Sequence, residues 1–321
     1  MPSTPPTAAN VADKANAVLS DFPYIARRIE QQKIIASVTA TWPDPPAPLI
    51  YWLWVAGDPT LSGAAPARQE LASLELILVA LHHLQVVGGS WPSRVAKLYP
   101  PKGHAGKDHV TEFRSAQFEL LLAFQLFRED VTIIMQGDGG PPACDLIIES
   151  RGTKIAANEA YAPQKDIDDW YQRSVLMPWR GLIGAPEPEP AAPAGPEPMR
   201  DIFLDPAAVP LALSNILTDG NFPGQKARQL ASGDGPTLLA IRAYSLTSRL
   251  ENLLTIESAQ ALAAAISEEA WDRLPKQCAG LLLCFTPDIL GAGGHLMFLP
   301  APGRSPDEDL KNYLTNIQAM A

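Results

Sequence analysis

The sequence predicts an α/β protein in which a central mixed β-sheet is flanked by helices and preceded by a mainly helical N-terminal portion. Three observations predict it. Leucines recur at three- and four-residue steps in the first third of the chain, the spacing of an amphipathic helix. Short β-branched segments follow a second helix in the middle. Apolar strands then alternate with helices in the last third, and strands need partners, so they extend the same sheet. With 321 residues, the chain suffices for one large or two modest domains.

The elements follow in order. Residues 1–10 (MPSTPPTAAN) have little to bury and read as a disordered tail. Residues 11–107 form the helical N-terminal extension. Within it, PLIYWLWV at 48–55 lies between a proline cluster and Gly57-Asp58-Pro59, and fits either a strand or a buried helical turn. From Arg68 to Val87, the stripe of Leu71, Leu74, Leu78, Leu81 and Leu84 predicts a helix that closes at Gly88-Gly89. Residues 108–321 form the α/β core. A helix over Thr111–Arg128 aligns Phe113, Ala116, Leu120, Ala123 and Phe127, with Glu119 on the edge of that stripe. The period then drops to two at Val131–Gln136, Cys144–Glu149 and Thr153–Tyr161, separated by turn chemistry.

Residues 185–198 (APEPEPAAPAGPEP) hold six prolines and three glutamates. They read as a stiff insertion of polyproline character. Beyond it the pattern predicts a helix near Gly224–Ala231 and a strand at Thr237–Ala243. A helix at Ser258–Leu274, a strand at Ala279–Phe285, a short strand at His295–Leu299 and a polar C-terminal helix complete the series.

Composition narrows the function. The 32 prolines concentrate towards the ends and in the insertion, so they describe linkers rather than core. Three cysteines without a CxxC pair predict neither a disulfide scaffold nor a zinc ribbon, and a reducing cytoplasm is the expected compartment. No apolar run reaches the roughly 18 residues of a membrane span, so no membrane partner is expected. A net charge of -10 disfavours DNA as a partner, and residues 101–180 carry nine Lys/Arg against twelve Asp/Glu, with no local basic patch. A protein partner stays open. His82 and His83 point about 100° apart on a helix, which does not suit one metal. His104 and His109 belong to a polar loop, and Gly291-Ala292-Gly293-Gly294 lacks the Lys-Ser/Thr of a phosphate loop.

Three acids stand out. Glu119 lies on the helix edge, Asp145 opens the second strand, and Glu159 lies fourteen positions later on the third. Alternate strand residues share a face, which puts Asp145 with Ile147 and Glu159 with Ala157 and Tyr161. If the two strands are hairpin neighbours, both carboxylates converge at one sheet end, and such oxygens suit Mg²⁺.

This pattern, carried by QFELLLAFQL, PPACDLII and KIAANEAYA, resembles the PD-(D/E)XK nuclease superfamily over about Thr111–Leu299. The resemblance implies a restriction-endonuclease-like core. It also implies hydrolysis of DNA phosphodiesters with Mg²⁺ or Mn²⁺ held by Asp145, Glu159, Glu119 and the carbonyl of Ala160. Two positions depart from the family pattern: Tyr161 replaces the expected lysine, and Cys144 replaces the proline before the aspartate. Tyrosine is a neutral donor at pH 7 and is no cation. Tyr161 would then orient water, and Lys165 would act as a displaced cation. The alternative is a catalytically degenerate fold that serves as a protein-interaction or nucleic-acid-binding module.

Overall fold

The computed structural model describes residues 8–23, 48–62, 74–75, 77–78, 97–98, 110–128, 131–135, 144–149, 152–158, 176–177, 180–181, 209–218, 225–231, 235–243, 256–285, 295–304, 306 and 308–320. The chain divides into two compact units. One comprises Met1–Val86, Pro92–Leu121 and Ala162–Pro196, the other Val87–Trp91, Leu122–Tyr161 and Glu197–Ala321.

In the first unit, α1 (Ala8–Leu19) packs against α2 (Pro48–Ala56), which leads into the short α3 (Pro59–Ser62). The ambiguous PLIYWLWV segment is therefore helical. Pro48 starts it, where a missing N–H costs nothing, and Leu49 and the run Tyr51–Val55 are buried. The chain leaves α2 at Gly57, where a Cβ would sit 2.5 Å from the Lys14 carbonyl oxygen, so glycine permits the close approach of α1. Asp58 then caps α3. Its Oδ1 accepts from the Thr60 N–H at 2.9 Å and from Thr60 Oγ1 at 2.6 Å, and its Oδ2 accepts from Lys14 Nζ. Lys14 Nζ also stands 5.5 Å from the Trp54 ring centroid. Burial raises the Asp58 carboxyl, and the bonds from Lys14 and Thr60 outweigh that and hold it below the usual range. Of the helix expected at 68–87, residues 74, 75, 77 and 78 are described; they are helical, with Leu74, Ile77 and Leu78 buried. Residues 8–10 of the expected disordered tail are instead the first residues of α1, whereas residues 1–7 and the insertion at 185–198 lie outside the described residues.

Helix α4 (Val110–Leu126) precedes the strands. In the second unit, β1 (Ile133–Met135), β2 (Leu146–Ile148) and β3 (Thr153–Asn158) form an antiparallel meander. Gly152, at φ 58°, makes the turn into β3. After β3 come α5 (Val209–Thr218) and α6 (Gln225–Leu230), and then β4 (Thr237–Ala243), parallel to β3. Helices α7 (Ile256–Ala265) and α8 (Glu268–Asp272) lead to β5 (Cys278–Phe285), parallel to β4. Strand β6 (His295–Pro300) returns antiparallel, and α9 (Glu308–Met320) packs on it. Among the described residues the sheet has six strands in chain order, so the strands of both halves belong to one mixed sheet. The protein is of mixed α/β class.

Register assigns the faces. Leu239 and Ile241 of β4 pair with Leu281 and Leu283 of β5, and these with Leu299 and Met297 of β6. All six join one core with Leu213 and Ile216 of α5, Leu230 of α6, Leu262 of α7 and Trp271 of α8. Leu238, Ala240, Leu282 and Phe298, on the opposite parity, are buried as well, as both faces of central strands between helical layers must be. Two features differ from the sequence pattern. Helix α5 was not among the expected elements; Pro210 falls in its first turn, where proline is tolerated. The helix expected over Ser258–Leu274 divides at Ile266-Ser267. There Ser267 takes an extended conformation and its Oγ accepts from the Ala270 N–H at 3.3 Å, capping α8.

Candidate functional site

Asp145 sits one residue before β2, its N–H donating to the Ile155 carbonyl at 3.0 Å. The pairing Leu146↔Ile155 puts Asp145 opposite Ala156, on the parity of Ile147. Through Ala156↔Leu239 and Asn158↔Ile241, that parity is the sheet face carrying the α5–α8 core. Helix α6 packs on this face against β3 and β4. It brings Lys226 Nζ to 2.9 Å from Asp145 Oδ2. Both side chains keep some access to water, 25% for the lysine and 13% for the aspartate.

Two further bonds fix α6 over the strands. The Cys144 thiol donates to the Gln229 carbonyl at 3.3 Å, and Thr237 Oγ1 donates to the Leu230 carbonyl at 3.1 Å. Cys144 thus has a structural task where the resemblance would have proline. It ties the end of the helix to the strand bearing the aspartate.

Glu119 is buried at 5% exposure, within a run from Ala116 to Ala123 that is buried throughout. The carboxylate expected on the helix edge is therefore enclosed, since α4 has no solvated side along this run. Glu119 belongs to the first unit and Asp145 to the second. Glu159, Ala160, Tyr161 and Lys165 lie outside the described residues.

The chemistry at Asp145 fits a hard cation. Its carboxylate offers oxygen, the donor that Mg²⁺ and Mn²⁺ prefer, and the Lys226 ammonium already stands against Oδ2 as a positive charge in that place. Among the described residues no group of three or more His, Cys, Asp or Glu side chains is arranged to hold one ion.

Sequence reading missed Lys226. The only signal was its position in QKARQL, four residues before the buried Leu230 and so on the inward side of α6. A lysine on an inward stripe needs a partner, but the partner is 81 residues away.

The fold and this contact define a mixed α/β protein with a lysine–carboxylate pair at the head of its second strand. Comparisons with protein-family models, with curated proteins and with solved structures give no match to the chain. Among the described residues no helix is long and apolar enough to cross a membrane.

Proposed function

We propose that this chain is a divergent PD-(D/E)XK-type phosphodiesterase that hydrolyses DNA with Mg²⁺ or Mn²⁺. The observation that carries the reading is the Lys226–Asp145 contact, which supplies a cation at the strand aspartate in a chain whose motif position holds Tyr161. The order of elements supports it too: helix α4, the meander β1–β3, helices, the parallel strand β4, and helices again. This is the order the resemblance implies for a restriction-endonuclease-like core.

In this reading Asp145 and Glu159, with the Ala160 carbonyl as a further candidate, hold the cation. A divalent ion held there would supply a lowered pKa for a bound water and positive charge for the phosphoryl group. Asp145 is held in place by its backbone bond to β3. Lys226 offers its ammonium to a non-bridging phosphate oxygen, as a point charge on a flexible stem. Tyr161 orients water.

A second reading is favoured by one observation, the net charge of -10. It is a degenerate fold used as a protein-interaction or nucleic-acid-binding module. One assay separates the two. Supercoiled plasmid and circular single-stranded DNA are incubated with the protein in Mg²⁺ or Mn²⁺. The enzyme reading expects nicking or linearisation that is lost in Asp145→Ala and in Glu159→Ala. Equal silence of wild type and both variants on DNA and RNA would leave the module.

A further inference from the structure

We draw no further inference here: the strongest candidate, the Lys226–Asp145 side-chain pair beneath α6 at the head of β2, belongs to the site already described and is one carboxylate already engaged by a lysine.

Discussion

The Lys226 ammonium lies 2.9 Å from Asp145 Oδ2, across 81 residues of chain and between a helix and the strand meander beneath it. Such a pair does more than hold two side chains. It joins the crossover that follows β3 to the hairpin that precedes it. In a double-mutant cycle with Lys226→Ala and Asp145→Ala, the coupling free energy is expected to be about 1 kcal/mol, at the upper end for pairs that retain some solvent. Urea denaturation of the four proteins measures it, and additive single effects would mean that the pair contributes nothing to stability.

Acid sensitivity in the first unit should trace to Asp58. Its carboxyl is raised by burial and lowered further by the bonds from Lys14 and Thr60, with a net value below the usual range. A depressed folded-state pKa stabilises above the unfolded value, near 4, and that contribution fades as pH falls through the folded pKa. Wild type should therefore be more stable than Asp58→Asn by a constant margin above about pH 5, and the margin should shrink steadily below about pH 4. Urea midpoints followed by tryptophan fluorescence, with Trp52 and Trp54 buried in α2 as reporters, provide the measurement. A margin that does not change with pH would contradict the assignment.

Arg304 is expected to be the most costly surface-accessible side chain to remove from the second unit. Its guanidinium donates to the carbonyls of Trp271, Leu274 and Pro275, each at 3.0 Å, and so satisfies the end of α8 and the turn into β5. Arg304→Ala should destabilise by about 2–3 kcal/mol, the range for hydrogen bonds made by a charged group. Arg304→Lys should recover less than half, because an ammonium lacks the planar fork that spans three carbonyls. Full recovery by lysine would show that charge alone matters there.

Gly280 should tolerate no side chain. A Cβ there would stand 2.3 Å from the Leu299 carbonyl oxygen and 2.7 Å from Phe298 Cε2, on the neighbouring strand β6. The ring can turn aside, but the carbonyl belongs to the backbone of the strand paired with β5. Gly280→Ala should cost about 3 kcal/mol or more, with loss of the cooperative unfolding transition in circular dichroism if the β5–β6 pairing opens. A loss below about 1 kcal/mol would mean that the two strands part easily.

Much of the sheet was legible because short apolar runs bounded by turn residues depend only on local pattern. Thr237–Ala243 coincides with β4, and Cys278–Phe285 extends the expected strand by one residue. Helix boundaries were less legible, since Pro210 and Ser267 each have two meanings: a proline can end or open a helix, and a serine can interrupt one or cap the next. PLIYWLWV was ambiguous because a segment buried all round has no polar face to betray its period. At the candidate site, the meander that carries Asp145 could be read from the chain. Lys226 could not, because no periodicity links positions 81 residues apart. The burial of Glu119 was not legible for a related reason: a stripe drawn from one helix does not show what covers its other sides.

In the proposed function Asp145 and Glu159 hold one divalent cation. Electron paramagnetic resonance of free Mn²⁺, titrated with the full-length protein, counts the bound ions directly. One Mn²⁺ per wild-type chain is expected, and none per chain of Asp145→Ala or of Glu159→Ala at the same concentrations. No binding by wild type, or one ion bound equally by all three proteins, would contradict it.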